Sequence, residues 1–486
     1  MKNKKTILSL FVINFFSLAL LSAQNESVIK ITKGQTDTVS IKQHVIVGLA
    51  PLNSEIKIDG KIVKQYKTGA FGGEVVLNDG DNLVKIEAIS DGKSYEKSLK
   101  IFYRPVSPAQ TALLPLDFVG KVVETKDGAY LNFGSGDDRL GGTKINFLSQ
   151  GIKLEVIDSV SNLYKVKLSD NFKVFIPKEY TSPMTQGTRP AKSLTGSWSV
   201  TTYEKGDKVR VSLDERVPYI VYYDKALNML VAEIHGANCN SNWITQYPGL
   251  KSIEYVDIRQ TSTEVVKVMM KLKNNYMWGY EVAYAGNALE ISIKKRPSLN
   301  LKDLTIGIDA GHGGPKSFGA VGVSGLKEKD QNLAMAYMLK EELERYGAKV
   351  VLSRSDDSDM NMTERKRIFA EAKIDLLVSI HCNAGGNPLK TGGTSTYYKH
   401  IEYRDLAETI LARLLELDVK NFGLVGNFNF SMNAPTQYPS VLVETLFMSN
   451  LAEEELLSDP AFQRKMMQSV VKGLRDYLKK VKKAEK

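Results

Sequence analysis

Four residues in the last third of this 486-residue chain, His312, Glu328, His381 and Glu444, have the types and placing for metal chemistry. Each closes a short local pattern at or just past a strand end. Two imidazoles and a carboxylate are the usual protein donors around a catalytic zinc that keeps one position open for water. A further carboxylate nearby is what such an ion needs for moving protons. The set makes the chain a candidate zinc hydrolase.

The elements that must bring these residues together read as alternating strands and helices. Leu304 to Asp309 is a continuous apolar strand that runs into the turn Gly311-His312-Gly313-Gly314. The spacing of Leu333, Ala336, Leu339, Leu343 and Tyr346 predicts a helix over 330–346 that stops at Gly347. A strand at 349–353, a helix at 363–373, a strand at 375–380 and a helix at 404–417 follow. A strand at 440–443 and a closing helix from Asp459-Pro460 to about Lys480 complete the series. Repeated β-α-β units imply a mostly parallel, doubly wound sheet. In such sheets ligands bind beyond the carboxyl ends of the strands. His312, His381 and Glu444 all fall there, and Glu328 opens the first helix.

Taken singly, each residue has an ordinary explanation. A glutamate at a helix start is favoured by the helix dipole. A histidine after a buried strand is commonly a hydrogen-bonded structural residue. Glu444 is harder to set aside, because an unpaired charge after Val441-Leu442-Val443 is costly at a core boundary. Four such residues at one sheet edge favour a metal site.

Four blocks carry a family resemblance: Ile308-Asp309-Ala310-Gly311-His312-Gly313-Gly314; Gly325 to Asn332 around Glu328; Val378-Ser379-Ile380-His381-Cys382-Asn383-Ala384; and Pro439 to Asn450 around Glu444. Over 301–478 the chain resembles the zinc-dependent N-acetylmuramoyl-L-alanine amidases that trim bacterial peptidoglycan. Thr363-Glu364-Arg365 and Ile368-Phe369-Ala370 also resemble that family's helix before the second histidine strand. The resemblance implies that His312, Glu328 and His381 hold Zn2+ and that Glu444 is the catalytic acid/base. It further implies hydrolysis of the lactyl amide between muramic acid and the first alanine of the stem peptide. Cys382 stands where the family usually has alanine. Asn421 to Val425 occupies the place of an arginine-glycine pair that forms a substrate wall in many members. The interval from His381 to Glu444 leaves little room for an extra plugging helix, so a site open without an activator is expected. Cys382 beside His381 raises a mixed thiolate site, but successive strand residues face opposite ways, so only one of the two can point at an ion.

Ahead of this region the chain reads as three all-β modules, giving a multidomain protein with a C-terminal α/β domain at 301–481. Residues 24–104 alternate in short strands with turns at Asp59-Gly60 and Asp79-Gly80-Asp81, similar to immunoglobulin-like envelope modules. Residues 116–181 resemble small Src-homology-type barrels, and 192–297 are similar to the β-sandwich targeting modules that precede many wall amidases. Proline-rich linkers separate them at 104–115 and 181–190.

Composition bounds the partners. Net charge is +10 and the pI about 9.1, which favours an anionic partner such as wall polymer, membrane surface or nucleic acid. No basic cluster of a nucleic-acid motif appears, and the basic tail Lys479 to Lys483 reads as a solvated helix end. Lys2, Lys4 and Lys5, the apolar run from Ile7 to Leu21 and Ser22-Ala23 read as a signal peptide over 1–23. That run falls short of the roughly 20 apolar residues a membrane anchor needs. Secretion to the periplasm or cell envelope follows, with no stable membrane insertion after signal removal. Peptidoglycan is the expected substrate, and envelope proteins could meet the β modules. Two cysteines, Cys239 and Cys382, are expected to be unpaired, and His44, His235 and His400 to be structural or on the surface. Two rival readings stay open: a carboxypeptidase-type zinc hydrolase, and a wall-binding scaffold without activity.

Overall fold

Apolar residues alternating along short strands need a second layer to bury against, and the chain supplies it repeatedly. The computed structural model describes residues 28–484, apart from 37, 106–120, 137–143 and 242. The expected signal peptide at 1–23 and most of the linker at 104–115 lie outside the described residues. Among the described residues no helix is long and apolar enough to cross a membrane.

Contacts divide the chain into two units, Met1–Ser107 and Pro108–Lys486. The first holds sheets of three and five strands. Their inward residues, among them Ile46, Ile56, Phe71, Ile86 and Ile101, form one core. Asp59 and Gly60 both take positive φ, +46° and +76°, and join Glu55–Ile58 to Lys61–Val63 in the tight hairpin that an Asp-Gly pair favours.

In the second unit, Lys121–Thr125 to Thr181–Pro183 build a seven-stranded sheet. Ser193–Tyr203 to Ala288–Lys294 build sheets of six and four strands. The start of the expected second linker is itself a strand, because Thr181–Pro183 pairs antiparallel with Lys121–Thr125. The apolar core runs on from Val123 through Ile176 to Val200 and Ile293, so the sheets on either side of 181–192 share one interior.

The α/β part contains α1 (Glu328–Glu344), α2 (Met362–Ala372), α3 (Arg404–Leu414), α4 (Leu451–Leu457) and α5 (Pro460–Lys483). Its six-stranded sheet runs in the order Lys349–Leu352, Thr305–Ala310, Leu376–Asn383, Ser440–Phe447, Thr394–Tyr397, Asn421–Val425. Neighbours pair in parallel except Ser440–Phe447 with Thr394–Tyr397, which are antiparallel. The sheet is therefore mixed. The last two strands and the short helix α4 are additions to the elements read from the sequence. Ile306, Ile308, Leu376, Val378, Val441 and Val443 face the core beneath α1, α3 and α5. Strand alternation then turns Asp309, Ser379, His381 and Glu444 to the opposite face, where α2 packs through Phe369 against Leu377.

Trp278 ties the preceding sheets to this core. It is 1% exposed, stacks on Tyr477 of α5 at 5.9 Å, and donates to the Asp375 carbonyl at 3.0 Å. Tyr280 and Thr436 exchange two further hydrogen bonds of 2.8 Å. Replacing Trp278 by alanine is expected to cost about 3–5 kcal/mol. Chemical denaturation should show both parts losing stability in one transition. An early, separate loss of the 193–294 sheets with the α/β part unmoved would contradict that coupling.

Candidate metal centre and active site

The His312 loop is built from backbone conformations that few side chains tolerate. His312 itself has φ +62°, followed by Gly313 at +138° and Gly314 at +72°, so the chain reverses immediately after the strand Thr305–Ala310. Gly311 is demanded by its neighbour: a Cβ there would collide with the His381 ring. Gly319 is equally constrained, since a Cβ would strike the Glu328 carboxylate and the His312 ring.

Glu328 is the first residue of α1, where the helix dipole favours its charge. Its Oε2 accepts from the Ala320 N–H at 2.7 Å, while its own N–H donates to the Ala320 carbonyl at 2.8 Å. Its Oε1 accepts from the Cys382 N–H at 3.1 Å and from Asn332 Nδ2 at 3.2 Å. The same Oε1 lies 3.0 Å from His381 Nδ1 and 3.3 Å from His312 Nε2. All three donor atoms lie within 4.8 Å of one another. Donors about 2.0–2.1 Å from one tetrahedral ion sit roughly 3.3 Å apart, so this set fits a shared zinc. His312 Nδ1 turns away to Ser317 Oγ at 3.1 Å, which fixes the ring for donation through Nε2.

The electrostatics agree with a pair of donors converging on a carboxylate. Burial alone would raise the Glu328 pKa, but hydrogen bonds from His312 and His381 hold it well below the usual carboxylate range. Burial would lower that of His381. The Glu328 hydrogen bond, with the charges of Glu444, Glu328 and Asp309, instead lifts it to about 9.

The parallel register sets Glu444 directly beside His381 on adjacent strands, and Glu444 is 6% exposed. Phe430 lies parallel to the His381 ring at 6.3 Å. The wall on this side thus comes from the loop after 425. Asn421–Val425, which stands where many members of the resembled family carry an arginine-glycine pair, forms the outer strand of the sheet and sends Phe422 against Phe447. Cys382 points the other way, its thiol 3.2 Å from Thr445 Oγ1. Burial, then the Glu328 charge, pushes that thiol well above its ordinary value, and its side chain lies in the core on the face away from the donor cluster. Cys239 and Cys382 are both free. The other histidines are engaged elsewhere: His44 with the Gly34 carbonyl, His235 with Ser169, His400 with the Ala434 carbonyl.

Sequence reasoning did not assign the residues that hold the His312 loop. Arg365 donates to Asp309 Oδ1 at 2.8 Å, to the Ala310 carbonyl at 2.7 Å and to the His312 carbonyl at 2.5 Å. Arg354 donates to the carbonyls of Ala310, Gly311 and Lys329. Ser379 donates to Asp309 Oδ2 at 2.7 Å. Burial would raise the Asp309 pKa, yet the Arg365 charge keeps it depressed. An aspartate inside an apolar strand was the available signal, because such a charge requires a partner. Arg365→Met leaves that charge unmet and frees the His312 carbonyl. It is expected to cost about 3–5 kcal/mol, as breaking a buried pair does. Thermal and urea denaturation measure this, and a loss below about 1 kcal/mol would mean that the pair does not organise the loop.

The part of the chain that carries this geometry is similar to known proteins. The family N-acetylmuramoyl-L-alanine amidase matches residues 306–476. The uncharacterized protein YqiI of Bacillus subtilis is 36% identical over 201 residues, covering 40% of this chain and 95% of that protein. The germination-specific N-acetylmuramoyl-L-alanine amidase of Bacillus subtilis is 32% identical over 198 residues, covering 37% of this chain and 82% of the relative. The N-acetylmuramoyl-L-alanine amidase LytC of the same organism is 30% identical over 302 residues, 58% of each chain. By its matched residues and by the relatives it nearly spans, the chain belongs to the N-acetylmuramoyl-L-alanine amidase family of peptidoglycan hydrolases.

Proposed function

We propose that this chain is a secreted zinc amidase acting on the bond between N-acetylmuramic acid and the L-alanine of peptidoglycan stem peptides, in wall remodelling, turnover or daughter-cell separation. His312 Nε2, His381 Nδ1 and Glu328 Oε1 would hold the ion, and Glu444 would be the acid/base. The observation that carries the reading is the lateral pairing of His381 with Glu444, which sets a carboxylate next to the donor cluster. Bound there, zinc supplies a Lewis acid for the amide carbonyl and lowers the pKa of water.

The residues then have separate tasks. Glu444 takes a proton from the attacking water and returns it to the departing amine nitrogen of alanine. Glu328, fixed by the N–H groups of Ala320 and Cys382, keeps the two imidazoles aimed at one point. Arg365 and Arg354 keep the His312 turn from relaxing. Within the interval from His381 to Glu444, α3 packs on the core side of the sheet, opposite Glu444. That favours a site that works without an activator. The signal peptide at 1–23 and β modules at 24–104, 116–181 and 192–297 belong to the same reading. They would deliver the catalytic part at 301–481 across the inner membrane to an insoluble anionic wall.

Digestion of purified sacculi tests this. The wild type is expected to release intact stem peptides. Glu444→Gln should lose about 10²- to 10⁴-fold in rate while keeping its fold. A chelator should abolish release and added zinc restore it. Release of single terminal residues would favour a carboxypeptidase, and binding without any hydrolysis would favour a scaffold.

A further inference from the structure

On the side of the metal donors where Phe430 lies, three lysines from different parts of Pro108–Lys486 come together. Lys144 begins the strand Lys144–Phe147 of the seven-stranded sheet. Lys366 follows Arg365 on α2, and Lys399 lies just past Thr394–Tyr397. Lys399 is only 8% exposed, and its ammonium donates to Asn427 Oδ1 at 2.6 Å. The Lys144 N–H donates to Asn429 Oδ1 at 3.2 Å, and its ammonium rests 3.9 Å from the Tyr130 ring centroid. Among the described residues, none of these three amines meets a carboxylate.

All three are partly withdrawn from water, and two of them also feel a neighbouring ammonium. Burial lowers the pKa of Lys366. Burial and then the charge of Lys366 lower that of Lys144. Burial and then the charge of Lys144 bring Lys399 down to about 8. Half-buried cations grouped without a counter-charge are costly unless an anion joins them. The loop that carries their polar partners, Asn427 and Asn429, also carries Phe430, whose ring lies parallel to His381. One loop therefore joins Lys144 and Lys399 to the ring that lies beside His381.

We infer that Lys144, Lys366 and Lys399 form a binding site for the carboxylates of an acidic peptide, so that a strand from outside the α/β part helps to select the stem peptide. This deepens the amidase reading and rests on it. Amide hydrolysis needs the peptide held in place, and ammonium groups on its carboxylates do so with charge-assisted hydrogen bonds.

The test uses the full chain and two muropeptides, alike except that the stem carboxylates are free in one and amidated in the other. The wild type is expected to show about tenfold higher kcat/KM on the free form. Lys144→Gln, Lys366→Gln and Lys399→Gln should each raise KM for the free form severalfold, leave kcat nearly unchanged, and hardly alter the amidated form. Lys144→Gln and Lys366→Gln change half-exposed residues, so they decide the matter even where the Lys399 variant fails to fold. Equal kinetics on the two substrates, or equal losses on both in the variants, would overturn the site. Calorimetric binding of the two muropeptides reads it apart from turnover: equal affinities overturn it, whereas tighter binding of the free form supports it. Failure to hydrolyse either substrate, with the affinity difference intact, would remove the amidase reading and leave the carboxylate site standing.

Discussion

A carboxylate withdrawn from water has to be met by donors on every side, and Glu328 imposes that demand on the whole α/β part. Its two oxygens receive backbone N–H groups from Ala320 and Cys382, the Asn332 amide and two imidazoles. Those donors come from the loop before α1, from α1 itself, from the Thr305–Ala310 turn and from the Leu376–Asn383 strand. None of these elements can shift without leaving the charge poorly solvated, which costs more than an ordinary lost hydrogen bond. The same convergence that satisfies the carboxylate produces a cluster able to take a cation. Clustering the donors and holding the local fold are one problem here, solved once.

That constraint explains what the sequence discloses. Apolar strands followed by His312, His381 and Glu444 are legible because two-residue alternation fixes which face each side chain takes. One hydrophobic set, Ile306, Ile308, Val378, Val441 and Val443, forces the polar set to the other side. Thr394–Tyr397 is illegible by the same rule, since Thr-Ser-Thr-Tyr carries no apolar period. The mostly parallel sheet expected from β-α-β repeats carries its one antiparallel pair toward its far end. Arg354 and Arg365 were hidden for another reason. Their partners are mostly main-chain carbonyls, which leave no trace in side-chain pattern.

Domain organisation shows the limit of linker chemistry as a guide. Thr181-Ser182-Pro183 has the composition of a connector, yet it pairs as an edge strand where proline is tolerated. Beyond it, Trp198, Val200 and Ile293 share an interior with Val156 and Ile176. Local composition reports whether a stretch can bend. Whether the two sides then bury surface against each other depends on contacts far apart in sequence.

The shared interior gives the seven-stranded sheet a fixed station relative to the site. A tethered module would sample many positions, and any side chain it offered to a substrate would lose that entropy on binding. Lys144 is placed instead by its N–H bond to Asn429, within a unit whose sheets are joined through Trp278 and Tyr280 to the catalytic core. A lysine so held already has its position set before a ligand arrives. Pre-placement of this kind lets a residue remote in sequence act on specificity, and it follows from how the cores merge.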